Sequence, residues 1–327
     1  MRTIRAIDLF AGIGGIRKGF ENTGRFSTVY ANDFDEKCKL TYDQNFKDTK
    51  LTIKDIRHIN VEKDNVPNFD FVLSGFPCQP FSQGGLRQGL NDHKGRGVLF
   101  RDIIRILEEA EKKYGDLPMG FLLENVKNLK SHDNGNTYRA ICDSLSELGY
   151  YIDSKVLNSL DFGVAQNRER IYIIGFRDKG IMDRFKWPEP RFSPDKYVKV
   201  KDIIDPVVDE KYYYNGKPLY EKIYKDVTDK DCVYNYRRTY VRGMKGGYSP
   251  TLVASMGMGG HNVPIILDDK GIRRLTPIEC ARLQGYNDLH IPVGMNDLHV
   301  YKQIGNSVTV PVIEAIAESI ISAIDNQ

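Results

Sequence analysis

Apolar residues in the first half of the chain follow two alternating patterns: short β-branched runs, and longer stretches with apolar positions three and four apart. The runs at 4–10, 27–32, 69–74, 120–123, 151–157 and 171–176 read as strands, and the stretches at 14–23, 99–112 and 137–148 as helices. A further short strand is expected before Asp55. Strands separated by helices are joined by crossovers rather than hairpins, which requires a mostly parallel sheet covered on both faces. The expected fold class is therefore α/β, a doubly wound, Rossmann-like sheet.

Beyond about residue 177 the pattern changes. Prolines cluster at 188, 190 and 194, tyrosines multiply, and no strong helical period returns until Thr276. There Thr276-Pro277-Ile278-Glu279 offers a capping threonine, a proline at the first helical position and a glutamate that closes a capping box. An apolar helix over 312–324 follows. The expected division is a first domain over 1–190, a smaller inserted domain over 191–272, and a return to the first over 273–327.

Composition narrows the function classes. With 327 residues, 41% hydrophobic and 28% charged, the chain can bury at least one full core. Its longest apolar stretch is interrupted by glutamates, and its first ten residues carry Arg2, Arg5 and Asp8, so a cytoplasmic protein with no membrane segment is expected. Five scattered cysteines without a CxxC pair, and six histidines without HExxH spacing, predict neither a disulfide framework nor a metal site. A formal charge of +3 is compatible with nucleic-acid binding.

The first strand runs into Ala11-Gly12-Ile13-Gly14-Gly15, a glycine-rich turn at the carboxyl edge, where such sheets bind ligands. A dinucleotide fingerprint would need glycine at position 17, where Arg17 stands, so a nucleoside without pyrophosphate fits better. The glycines alone are equally a tight strand-to-helix turn. Asp33 adds a carboxylate for ribose hydroxyls at the end of the second strand, and Phe34 adds a ring for an adenine face. Asp55 is placed either near an adenine amino group or simply at the surface.

Three further segments converge on the same edge. Gly75-Phe76-Pro77-Cys78-Gln79-Pro80-Phe81-Ser82 sets a cysteine in a proline-stiffened turn. An accessible thiolate there suits addition to cytosine C6, because C5 becomes a sufficient nucleophile only after that addition. Leu123-Glu124-Asn125-Val126 ends a strand in a carboxyl group able to hold or protonate cytosine N3. Gln166-Asn167-Arg168-Glu169-Arg170 supplies a guanidinium for cytosine O2 or for steadying Glu124. Taken singly, each is an ordinary strand-end residue; joint placement carries the reading. Residues 79–97 hold five glycines with Arg87, Lys94 and Arg96, and read as a mobile basic lid.

These motifs, with Asp8-Leu9-Phe10-Ala11-Gly12-Ile13-Gly14-Gly15, Arg274-Leu275-Thr276-Pro277-Ile278-Glu279-Cys280-Ala281-Arg282 and Gln303-Ile304-Gly305-Asn306-Ser307-Val308, occur in an order that resembles bacterial cytosine-5 DNA methyltransferases of the restriction-modification type. The resemblance covers nearly the whole chain. It implies an S-adenosylmethionine-dependent methyltransferase fold with an inserted DNA-recognition domain. It also implies Cys78 as nucleophile, Glu124 at N3, and Arg168 and Arg170 supporting a flipped base. Cofactor contacts are implied for Phe10, Gly12, Gly14, Asp33, Phe34, Asp55, Pro77, Leu99 and Asn306. Asp33 stands where the family more often has glutamate, and Phe34 where tryptophan is common.

In this family the segment between the arginine motif and the Thr276 helix reads DNA. Here 232–248 carries Arg237, Arg238, Arg242 and Lys245, four tyrosines and no acidic residue, which suits phosphate and base-edge contacts. Thr251-Leu252 and the glycine-rich 255–261 resemble a recognition loop. The expected DNA contacts are Gln79, Ser82, Arg87, Arg96, Arg237, Arg238, Arg242 and Thr251. The expected protein is a bacterial or phage-encoded monomer that methylates a specific double-stranded DNA site without a metal and protects host DNA from a separate restriction endonuclease. A tRNA methyltransferase would share the catalytic motifs and differ in the reading domain.

Overall fold

The computed structural model describes residues 2–77, 99–258 and 261–326. The elements begin β1 (Ile4–Leu9), α1 (Gly15–Glu21), β2 (Phe26–Asp33), α2 (Glu36–Asn45), β3 (Leu51–Ile53), β4 (Phe71–Ser74), α3 (Leu99–Tyr114), β5 (Gly120–Val126) and α4 (Asn136–Glu147). They continue with β6 (Tyr151–Asn158), β7 (Gln166–Asn167), β8 (Glu169–Phe176), α5 (Lys179–Arg184), α6 (Tyr220–Ile223), β9 (Val233–Tyr236), β10 (Val241–Met244) and β11 (Ser249–Pro250). The last are β12 (Pro264–Leu267), β13 (Ile272–Arg274), α7 (Pro277–Arg282), α8 (Asp297–Asn306) and α9 (Val310–Asp325).

Two compact units share the chain. The first comprises Met1–Leu157, Arg170–Pro188 and Glu314–Gln327; the second, Asn158–Glu169 and Glu189–Ile313. The boundaries at 190 and 272 drawn from sequence divide the chain by expected role. Compactness divides it differently, because 158–169 and 273–313 pack with the second unit.

In the first unit β1, β4 and β5 are buried almost throughout, as strands covered on both faces must be. The sheet runs β3-β2-β1-β4-β5-β8-β6. The β1–β2, β1–β4, β2–β3 and β4–β5 pairs are parallel, and β5–β8 is antiparallel. One core joins Ile7, Leu9, Val72, Leu123 and Ile173 of the sheet to Ile103, Ile106 and Leu107 of α3 and Ile141 and Leu145 of α4. The α/β class with a mostly parallel sheet is thus observed. Periodicity leaves 36–45 without an element, yet α2 lies there. It buries only Cys38, Thr41 and Tyr42, a stripe too narrow to show against its polar majority, and it is capped by the Asp35 carboxylate.

The second unit is built on an antiparallel sheet, β10-β9-β12-β13, over a core of Tyr214, Ile223, Val227, Tyr234, Tyr236, Ile265 and Ile272. The box at α7 forms as expected: the Thr276 hydroxyl accepts from Glu279 N at 3.2 Å, and Glu279 accepts from Thr276 N at 2.7 Å. Residues Asp297–Asp325 are apolar enough by composition to cross a bilayer. Burial of Val312, Ile313, Ile316 and Ile320 in the fold accounts for that hydropathy.

Candidate active site

Chain order and strand order part company at β1. The chain moves outward from β1 to β2 and β3, then returns to place β4 on the other side of β1. Between β1 and β4 successive crossovers diverge, leaving a crevice at the strands' carboxyl ends. Register brings the motifs to that line: Leu9 pairs with both Asn32 and Ser74, and Ser74 with Leu123. One residue further along stand Asp33, Phe10, Gly75 and Glu124, the heads of four separate motifs.

On the β1 side the backbone is bent to leave room. Phe10, Gly12 and Gly14 have φ of 56°, 54° and 81°. At Gly14 the bend is also a close approach, since an added Cβ would lie 2.3 Å from Phe46 Cε2. At Gly12 an added Cβ would meet none of the described residues within 4 Å. The Asp33 carboxylate accepts from Gly12 N at 2.8 Å and from Asp35 N at 2.9 Å, tying the first turn to the second strand. Burial raises its pKa, against the pull of the backbone N–H groups of Asp35, Gly12 and Phe34. Phe34 beside it is 72% exposed. Asp55 is turned to its neighbour: the Arg57 guanidinium holds it, Arg57 N donates to it at 3.0 Å, and these bonds draw its pKa down to about 2. Leu99 opens α3, and Pro77 is exposed.

Arg17, the residue that breaks the dinucleotide fingerprint, is wholly buried behind this turn. It bonds Glu21, Tyr42, Asp48 and the Thr49 carbonyl, and lies 4.1 Å from the Phe46 ring centroid. A buried charge with this many acceptors is a support for the fold, and Phe46 carries that support to Gly14. Nothing in the one-dimensional pattern marks Arg17 as more than a substitution for glycine.

On the β4 side Glu124 lies beside Gly75, where an added Cβ would be 3.6 Å from Glu124 Oε2. In the antiparallel β5–β8 pair Val126 faces Arg170, so Arg170 is the diagonal same-face neighbour of Glu124. Their ion pair measures 3.1 Å, with both side chains nearly buried. Asn125, on the opposite face, donates from Nδ2 to the Phe76 carbonyl at 2.9 Å. That buried bond holds 75–77, the run-up to position 78, and nothing local in the sequence marks Asn125 for this role. Cys78, Gln79, Ser82, Arg87 and Arg96 lie outside the described residues, as does the lid expected over 79–97.

Arg168 lies in the second unit, 3% exposed, with its guanidinium on the carbonyls of Leu252 and Ser307 at 2.8 and 2.6 Å. Asn306, between two of the carbonyls it holds, is exposed. Arg238, with φ of 64°, sits in the turn between β9 and β10. Arg238 and Arg242 are exposed and Arg237 half-buried, while the Thr251 hydroxyl donates to the Asn167 carbonyl at 2.8 Å.

Residues 4–322 match the family described as C-5 cytosine-specific DNA methylase. The chain belongs to this family. It is 46% identical over 322 residues to the type II methyltransferase M.Bsp6I of Bacillus sp. (strain RFL6), covering 97% of this chain and 98% of that one. To M.HaeII of Haemophilus aegyptius it is 41% identical over 332 residues, with coverage of 99% and 95%. Among solved structures, Entamoeba histolytica EhMeth superposes with a TM-score of 0.77 at 18% identity over the full length of both chains. The S. pombe Dnmt2 methyltransferase gives 0.75 at 17% identity, covering 98% and 99%. These structural likenesses concern the fold. The sequence relationship makes the chain a DNA cytosine-5 methyltransferase, and S-adenosylmethionine is the methyl donor of its family.

The residues on the β1 side fit that donor. Among the described residues nothing fills the space over Gly12, so a ligand can approach the backbone there, the exposed Phe34 ring offers a face, and the Asp33 carboxylate keeps acceptor capacity beyond its backbone bonds.

Proposed function

We propose that this methylase acts on a cytosine turned out of duplex DNA, through a covalent bond between Cys78 and C6. The observation that carries the reading is the Glu124–Arg170 pair beside Gly75, three residues before Cys78, at the crevice where the sheet changes winding direction. A target atom inside a base stack is out of reach of any such pocket, so the base must leave the helix. The Cys78 thiolate adds to C6, and Glu124 at N3 with Arg170 at O2 stabilises the charge pushed into the ring. Phe10, Gly12, Gly14, Asp33, Phe34, Pro77, Leu99 and Asn306 would hold S-adenosylmethionine, which when bound would supply an electrophilic sulfonium methyl. Asp55, paired with Arg57, contributes to that wall. Loss of the C5 proton to a base and departure of Cys78 sulfur from C6 restore the double bond and the free thiolate.

On this reading the second unit supplies sequence recognition through Arg237, Arg238, Arg242 and Thr251. The enzyme works as a monomer in a bacterial cytoplasm and shields DNA from a separate endonuclease. Duplex DNA carrying 5-fluorocytosine at the preferred site, incubated with enzyme and donor, should yield a denaturation-resistant protein–DNA adduct, because fluorine cannot leave as the proton does. Cys78→Ala should give no adduct and no methylation. Adduct-free methylation by the parent enzyme, or activity surviving in Cys78→Ala, would reject the covalent route. Transfer to tRNA in preference to duplex DNA would move the substrate elsewhere.

A further inference from the structure

In the second unit a short parallel pair joins two distant segments. Gln166 of β7 lies opposite Ser249 of β11, and Asn167 opposite Pro250. Around this pair the segments are stitched together by buried side chains. Gln166 Oε1 accepts from Leu252 N at 2.9 Å, and its Nε2 donates to the Leu283 carbonyl at 2.7 Å. Arg168 Nη1 donates to the Leu252 carbonyl at 2.8 Å, and Nη2 to the Ser307 and Gly305 carbonyls at 2.6 and 3.4 Å. Gly305 is packed so tightly that an added Cβ would lie 2.2 Å from the Val253 carbonyl oxygen.

One planar guanidinium thus spans two segments. The first, 249–258, opens the recognition loop; the second is the turn that presents Asn306. Buried carbonyls must be satisfied, and a rigid fork of in-plane donors fixes the spacing of the groups it serves, which the flexible ammonium of lysine does not. We propose that Arg168 is a positioning residue that couples DNA recognition to methyl-donor binding by fixing the distance between the 249–258 segment and the Asn306 turn. This reassigns it from support of the flipped base. The proposal rests on the reading above in which 249–258 meets DNA and Asn306 meets the donor.

The test combines kinetics with amide hydrogen exchange on Arg168→Lys and the gentler Gln166→Asn. In Arg168→Lys the KM for duplex DNA bearing the preferred site should rise at least tenfold, and that for S-adenosylmethionine at least threefold. Discrimination against a site altered by one base pair should fall at least tenfold, with the smaller loss in kcat. Gln166→Asn should show the same signature more weakly, with kcat within twofold of the parent. Exchange should quicken in 251–258 and 304–308 together.

A fall of a hundredfold or more in kcat, with both KM values and discrimination unchanged within twofold, would place Arg168 on the base and overturn the proposal. So would unchanged exchange in both segments. Should Arg168→Lys fail to fold, Gln166→Asn decides by the same readouts. A parent enzyme inactive on duplex DNA would defeat the proposed function instead, and the exchange pattern would still judge the clamp.

Discussion

Asp8 carries a carboxyl group inside the core. It has no exposed surface, neither oxygen has a hydrogen-bond partner of good geometry among the described residues, and burial pushes its pKa from 3.8 up to about 8 although Arg17 pulls the other way. Below about pH 4 both folded and unfolded forms keep the proton, so pH does not matter. Between about 4 and 8 the unfolded chain releases it while the folded one retains it, and stability falls as pH rises; above that range the penalty is constant. Asp8→Asn should therefore be increasingly stabilising relative to the parent across this window, by on the order of a few kcal/mol in all. Melting both proteins at pH 5 and pH 8 checks this, and an equal difference at the two would contradict it. Single residues were legible where the strand pattern determined their place in the sheet. Glu124 stands near the carboxyl end of β5, one residue beyond the line that joins Leu9, Ser74 and Leu123, and the carboxyl ends of parallel strands form the ligand edge. The bonds that Asn125 and Arg168 make were not legible, because the carbonyls they hold, Phe76 for one and Leu252, Gly305 and Ser307 for the other, are brought to them by folding.

Elements follow the same division. Helix α7 was readable because a capping box is local chemistry, four consecutive residues satisfying one another. What its glutamate also does was hidden: Glu279 is wholly buried and takes two bonds from the equally buried Arg273, at 2.9 and 2.8 Å, and one from Asp205 N at 2.9 Å. The box and the ion pair separate by magnitude. Thr276→Ala, which removes one cap bond, should cost about 1 kcal/mol. Glu279→Ala, which leaves buried Arg273 with Asp268 as its remaining carboxylate partner and also removes a cap bond, should cost more, about 3 kcal/mol. Urea unfolding of both variants tests the order, and equal losses would show that the pair adds nothing beyond the cap. Helix α2 is faint in the sequence for the converse reason, since a helix that buries three residues of ten leaves a weak period.

For the whole molecule the net charge of +3 matters less than where the cations stand. The β9–β10 hairpin and its flank hold Arg237, Arg238, Arg242 and Lys245 without a nearby acid in sequence. If these meet phosphates, the dependence of log K on log salt should be steep, and Arg238→Ala and Arg242→Ala should each make its slope shallower by about one. Titrating a labelled duplex at several salt concentrations measures this; a slope unmoved by both substitutions would remove the hairpin from the DNA contact. The alternation of apolar runs, the glycine turn and the ordered motifs determined the α/β class, the parallel sheet and the family, because periodicity and turn chemistry are properties of neighbours in the chain. Only the tertiary structure decided that strand order reverses between β1 and β4, that Arg170 reaches Glu124 diagonally across an antiparallel pair, and that Arg168 turns to backbone carbonyls. Those facts depend on which distant segments share a buried surface, and burial is settled by the packing of the whole fold.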